Sequence, residues 1–481
     1  MEIFFPIIFV CCNSLMIEVK MNKVSQDETF DTTTLGDTVT TGQQYITDFA
    51  AFDTVYYNLN KPEYHDKMVY FLEEYFLKAY PTHRGRLVGI YLDQMNENGN
   101  IKLANEIVRI YLETTDLLTS VGQKMFNLPL LSESYASLGR VGQLADETAS
   151  VKLQLKLGIL QQKPVICLGG TSPQKNTLVN QGFRPYLEDS FEVITDDSAS
   201  DYFIQKTHLS PYCSFFYKLS DSQYGQVGNF FFDSYPDLIT QGISAYAFTL
   251  KDITINKAMK FLRPLGLMED DQFVVLHLRE KGYYDAHQHI FRNINPLQYI
   301  DTVEYFLNQG IKVVRIGHEK MTPMFERDGF IDLTRRMRPD EVDIFLCGKA
   351  KFYFGSASGP YSLSHNFGVP CCVTNALDYG GVRPNNFVQF LKFYDKSSKS
   401  VMSFDHFDKL GLKSIHSAKA FENRNLEPKF TASDQNLTLA REMLEYLDKG
   451  AIFRLNEQYK TQKHKHKING GLSSQSLELL N

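Results

Sequence analysis

Two stretches far apart in the chain carry residue types suited to holding a phosphate. The first, Phe273-Val-Val-Leu-His277-Leu-Arg279, puts a guanidinium one alternation past an apolar, β-branched run. A guanidinium offers two phosphate oxygens a planar fork that an ammonium lacks. The second is Gly355-Ser356-Ala357-Ser358-Gly359-Pro360-Tyr361, which follows the apolar Lys351-Phe-Tyr-Phe354. Its glycines let backbone N–H groups come close to an anion. Pro360 suits a first helical position, and Ser358 or Gly359 can cap the helix. That helix would aim its positive end at a bound anion. Blander readings exist for both: Arg279 can pair with Glu280 or another acid, and the loop can be a plain strand-to-helix turn. It is not a Walker loop, because the G-K-[ST] ending is missing. Nor is it a hydrolase elbow, since Ala357 stands where G-x-S-x-G needs its nucleophile.

Around these two stretches lie further candidates. His277 can be a core histidine donating to a backbone carbonyl, a substrate-positioning group or a general base. Glu280 and Asp285, just past the strand, are the base candidates by location. His287 and His289 form a pair without a Cys or acidic cluster at ligand spacing, so no metal site is expected. The acidic pairs Asp196-Asp197 and Asp270-Asp271 sit beside loop signals and read as solvated.

The elements that must position these groups are short buried strands alternating with helices. Phe273 to Arg279 is too short and too β-branched for a helix. An amphipathic segment, Pro296 to Asn308, precedes the run Ile311-Lys-Val-Val-Arg-Ile316, which ends in Gly317. This alternation predicts a parallel sheet covered on both faces. Ligands of such sheets bind beyond the carboxyl ends of the strands, where His277, Arg279, Gly317 and the Gly355–Gly359 loop all fall.

Composition narrows the class. A chain of 481 residues with 43% hydrophobic and 22% charged residues fits a soluble protein of two to four domains. A net charge of −6 gives no general pull toward nucleic acid or acidic membranes, so any anion site must be local. The seven cysteines (11, 12, 167, 213, 347, 371 and 372) include no C-x-x-C pair and sit mostly in apolar runs. They read as reduced, buried thiols of a cytosolic protein. The apolar run Ile3–Val10 follows Glu2 rather than a basic start and is too short to span a membrane. It reads as an over-extended start, with a weak anchor as the alternative.

In order along the chain, residues 1–45 read as a poorly ordered segment and 46–150 as a helical region. There Met68, Phe71, Leu72, Tyr75 and Phe76 share one helical face. A packed cap and a peptide-binding repeat are both open, although no clean repeat period is present. Residues 155–265 read as an N-terminal Rossmann-like domain, opening with Pro164-Val-Ile-Cys-Leu168, Gly169-Gly170 and a second strand at Phe191–Ile194. The G-x-G-x-x-G spacing is absent, so a dinucleotide fingerprint is not supported. Residues 202–249 are aromatic and irregular, and Ile253–Leu265 reads as a helix ending at Gly266. Residues 266–425 read as the C-terminal Rossmann-like domain, loop-rich after Ala376. Residues 426–481 read as a helix, from about Asp434 to Tyr459, and a flexible basic tail.

These motifs together resemble a family of bacterial surface-polysaccharide glycosyltransferases. The resemblance rests on the H-x-R strand with Tyr283-Tyr284 and Arg292-Asn293, then Gln309–Gly317, Ile331-Asp332, Asp343–Leu346, Phe354–Gly359, Phe367–Pro370 and Thr374-Asn375. It spans about Leu250 to Asn375. The H-x-R strand is also distantly similar to that of O-fucosyltransferases. The resemblance implies a GT-B architecture: two Rossmann-like α/β domains facing across a cleft, with an N-terminal helical extension. It implies a hexosyl- or deoxyhexosyltransferase that needs no metal or cofactor, with a GDP- or UDP-linked sugar as substrate. By carry-over, Arg279 and Ser356, Ser358 and Gly359 face the donor diphosphate. His277, Tyr284, Arg292, Asn293 and Asn375 line the cleft. The fucosyltransferase pattern has a polar or acidic residue soon after the arginine; here Glu280-Lys-Gly intervenes, which leaves the base unassigned. The implied partners are a nucleotide-sugar and a glycan or lipid-linked acceptor. No nucleic acid is implied, the site of action is cytoplasmic at the inner face of the membrane, and the N-terminal helices are a place for a protein partner. The rival readings are a helical-repeat interaction protein with a non-catalytic nucleotide site, and a sugar-nucleotide epimerase of the same fold.

Overall fold

The computed structural model describes residues 139–158, 165–169, 178–200, 246–282, 291–377, 385–409, 421–449 and 471–480, with a few short strands and single residues elsewhere. The predicted helical face around Met68–Phe76, the basic tail around 460–467, and Tyr284, Asp285, His287 and His289 lie outside them. The chain divides into two compact units.

The larger unit comprises residues 137–153, 178–190 and 231–481. Its centre is a seven-stranded sheet, whose strands are β1 (Phe273–His277), β2 (Lys312–Arg315), β3 (Phe330–Asp332), β4 (Phe352–Ser356), β5 (Cys371–Ala376), β6 (Asn386–Phe390) and β7 (Gly471–Leu472). All neighbouring pairs are parallel. Their order is β3-β2-β1-β4-β5-β6-β7. The first six follow the doubly wound nucleotide-binding order, which reverses between β1 and β4.

Every residue of β1, β4, β5 and β6 is buried, as strands covered on both faces must be. Alternation divides β1 between the two faces. Val274 and Leu276 join Val303 and Phe306 of α3 (Ile300–Asn308) and Leu439 and Met443 of α6 (Ser433–Lys449) in one core. Phe273 points the other way and stacks on Phe345 of α4 (Asp340–Lys349), with ring centroids 6.5 Å apart. Helix α2 (Asp252–Leu262) packs on α4 and runs through a 3-10 turn to Gly266, whose φ of 87° closes it. That is the helix and stop predicted for Ile253–Leu265.

Several boundaries depart from the sequence reading. Helix α1 (Val141–Lys156) begins in the larger unit, where Lys152 and Lys251 share Asp189 at 3.1 and 2.7 Å. Gln181 donates its N–H to Asp340 Oδ2 at 2.7 Å, which ties residues 178–190 to α4. These ion pairs and bonds join distant segments to the sheet-bearing unit, where a linear reading assigns them elsewhere. The stretch expected to be loop-rich after Ala376 contains β6, and residues 471–472 return to the sheet as β7. Beside it, strand Lys392–Asp395 pairs antiparallel with Ser400–Val401 and Leu426–Lys429. The thiols of Cys347, Cys371 and Cys372 are buried and unbridged.

In the smaller unit, strands Val165–Cys167 and Glu192–Ile194 pair in parallel, at the two positions the apolar runs predicted. A Cβ on Gly169 would lie 2.7 Å from Thr195 O, so only glycine fits the turn that follows. Part of the irregular region is a hairpin of Phe216–Ser220 with Gln223–Gln226.

Candidate functional site

The carboxyl ends of β1 and β4 lie side by side, with Gly355 opposite His277 in the register. Gly355 has φ 147°, and a Cβ there would lie 2.0 Å from His277 O. Glycine is therefore required by the backbone-to-backbone approach as well as by its φ. Ser356 bridges the junction: its Oγ accepts the Arg279 N–H at 2.9 Å and lies 3.4 Å from His277 O. The two stretches singled out in the sequence thus meet at the switch point of the sheet.

The loop between β4 and α5 (Gly359–Asn366) is held from both sides. Tyr353, fully buried, donates its hydroxyl to Ser356 O at 2.6 Å and lies 3.3 Å from Ser358 Oγ. Arg292 donates from Nε to Ala357 O at 2.9 Å, and its Nη2 reaches the same oxygen. Ser358 occupies the N-cap position of α5 without a side-chain capping bond, and Pro360 is the second helical residue, one place past the position expected for it. The N–H groups of a helix's first turn have no intrahelical acceptors and suit an anion.

Electrostatics marks the same place. Burial first, then the charges of Arg279 and Arg140, push the Arg292 guanidinium down to about 10. Like charges gathered at a strand-end loop favour an anion. Arg140, just ahead of α1, was not singled out by the sequence. No local pattern tells that a residue 139 positions before Arg279 will stand beside it.

Other predicted residues turn out to be structural. Glu280 is not placed as a base: its Oε1 receives Arg315 Nη2 at 2.8 Å, and its Oε2 receives the N–H and hydroxyl of Thr322 at 3.0 and 2.5 Å. Both oxygens are taken, because a fully buried Arg315 needs carboxylates and finds a second one in Asp332 at 3.0 Å. Asn375 is not a cleft residue. Its amide donates to Thr431 Oγ1 at 2.9 Å and Tyr299 OH at 3.3 Å, and its Oδ1 accepts the Thr431 N–H at 3.1 Å. Ser356 acts through its bridge, since its hydroxyl is buried in it. Gly317 belongs to the β2 turn, with its carbonyl accepting Arg338 Nη2 at 3.0 Å and Met321 packed over it.

His277 matches the reading of a core histidine bonded to a backbone carbonyl. Its Nδ1 lies 3.2 Å from Ile316 O, the geometry of a ring N–H donating to that carbonyl. Burial, with smaller pushes from Arg315 and Arg279, lowers its pKa to about 4 and keeps it neutral at physiological pH. Asn293, next to Arg292, has a buried Oδ1 with no hydrogen-bond partner among the described residues. Tyr284 and Asp285 lie outside the described residues.

No protein-family model matches the chain. No curated protein matches it either. Among solved structures it is similar to a glycosyl transferase family 9 protein from Veillonella parvula, at 14% identity over 63% of this chain and 94% of that one, with a TM-score of 0.38. It is also similar to the iron-containing dodecameric glycosyltransferase TibC of enterotoxigenic E. coli, at 14% identity over 67% and 76%, with a TM-score of 0.34. A third likeness is to the E. coli heptosyltransferase WaaC with ADP, at 12% identity over 54% and 89%, with a TM-score of 0.30.

Proposed function

We propose that the chain is a metal-independent glycosyltransferase that binds the diphosphate of a nucleotide-sugar at the junction of β1 and β4. The observation that carries this reading is the convergence of Arg279 and the Ser356–Gly359 loop on one strand-end site. The sequence resemblance set out above supplies the acceptor class, a surface-glycan precursor.

The chemistry follows from charge. As the sugar–oxygen bond breaks, its electron pair stays on the terminal phosphate, while the sugar passes to an acceptor oxygen that loses a proton. Donors fixed where that negative charge grows stabilise the transition state more than the ground state. Arg279 is the principal donor, and the first turn of α5 adds N–H groups and a dipole. Arg292 and Tyr353 hold the loop for this task, and His277 fixes the end of β1. The general base is left to a residue other than Glu280.

Calorimetry with ADP, GDP and UDP tests the assignment. Arg279→Ala should abolish measurable diphosphate binding and lower sugar transfer on the order of 10²–10³. Unchanged affinity would remove Arg279 from the site. Product analysis with chelator present and no acceptor separates transfer from epimerisation.

A further inference from the structure

We infer that Arg140, at the head of α1, is a third guanidinium arm of this site and engages the terminal phosphate of the departing nucleoside diphosphate. The inference rests on the donor-diphosphate reading above. Its geometric basis is the seat of α1 on α5. A Cβ on Gly359 would lie 2.3 Å from Val141 Cγ1 and 3.2 Å from the backbone nitrogen of Gly142, and one on Gly142 would lie 3.0 Å from Gly359 Cα. Two glycines thus let the first turns of two helices touch. Their positive ends come together, an arrangement that an anion between them relieves.

Arg140 stands at this contact. Its carbonyl accepts the first bond of the helix, from Leu144 N–H at 3.0 Å, and its side chain is exposed. It directly precedes Val141 and Gly142, which meet Gly359 at the start of α5, and its charge, with that of Arg279, adds to the effect of burial on Arg292. The helix is fixed there. Arg383 binds Asp146 of α1 through two bonds of 2.8 and 2.7 Å, and Asn366 of α5 donates to the same carboxylate at 2.8 Å.

The need for a third cation comes from the reaction. The diphosphate of a nucleotide-sugar has no terminal phosphate monoester. Cleavage creates one, with a second pKa near 6 and so about one further negative charge at neutral pH. A guanidinium matched to that charge favours the product-like transition state over bound substrate. Arg140 should therefore favour the released diphosphate over the intact donor, and it should act little on a monophosphate, which has no phosphate at that position.

The experiment is calorimetry on the full chain and on Arg140→Ala, Arg140→Lys and Arg279→Ala, with ADP, GDP and UDP each set against its monophosphate. Arg140→Ala should weaken the bound diphosphate about tenfold, the scale of one charge-assisted bond, and move the monophosphate far less. Arg140→Lys should recover part of the loss, with an unchanged thermal midpoint in both variants. Diphosphate affinity unchanged in Arg140→Ala but lost in Arg279→Ala would overturn this inference and leave the donor reading standing. So would an equal loss for both phosphates, or a loss that tracks a lowered midpoint. A wild-type chain that binds none of the three diphosphates overturns both.

Discussion

Two arginines near the carboxyl ends of the strands, Arg315 fully buried and Arg292 partly so, are treated in opposite ways. Arg315, at the end of β2, has no exposed surface and binds Glu280 at 2.8 Å, Asp332 at 3.0 Å and Thr322 O at 2.7 Å. Arg292 binds a single backbone carbonyl, that of Ala357, and no carboxylate among the described residues. Loss of solvent first, and then its positive neighbours, make its proton easier to lose. Neutralised charge braces a fold, whereas charge left without a carboxylate gives a field that a ligand can use. The distinction separates a strut from a binding group where residue type and strand position do not.

The largest effect that would sharpen the contrast comes from removing each arginine in turn. Arg315→Met leaves two carboxylates facing a buried hole and should cost about 3–5 kcal/mol in urea unfolding. Arg292→Met removes a charge without a carboxylate partner among the described residues and should change stability by no more than about 1 kcal/mol while weakening diphosphate binding. Equal stability losses in the two variants would break the comparison.

His277 feels Arg315 and Arg279, and both lower its proton affinity after burial has done most of the work. Its folded pKa of about 4 lies below the ordinary 6.5, so the unfolded chain binds the proton more tightly. Stability is fully present above pH 6.5 and is lost as pH falls through 4, by about 3 kcal/mol in the limit. Unfolding followed from pH 7 to pH 4 should show that decline, and His277→Gln should flatten it. An unaltered slope in the variant would show that another group carries the acid sensitivity.

The smallest effect concerns the loop alone. Tyr353→Phe deletes the hydroxyl that reaches Ser356 O at 2.6 Å. It should cost about 1 kcal/mol of stability and weaken diphosphate binding severalfold. No change in binding would show that the loop keeps its shape without this tether.

Much of the sheet was legible because parallel strands buried on both faces leave a plain mark, an uninterrupted apolar run such as Phe273–Leu276 or Phe352–Phe354. Strand β6 was harder to see. Its apolar stretch, Phe387-Val-Gln-Phe390, directly follows Pro384-Asn-Asn386, whose turn residues dominate a local reading. Strand β7, with two residues, has no period to detect.

The site divided in the same way. The sequence determined that a guanidinium and a Ser-Gly turn would emerge at strand ends, because alternation and glycine freedom are properties of a few consecutive residues. Only the tertiary structure decided which polar groups were consumed. Glu280 went to Arg315, Asn375 to Thr431, and Ser356 to the seam between β1 and β4. It also brought Arg140 to a loop more than two hundred residues away. Electrostatic partnership depends on distance and burial in three dimensions, and neither is written in the order of the chain.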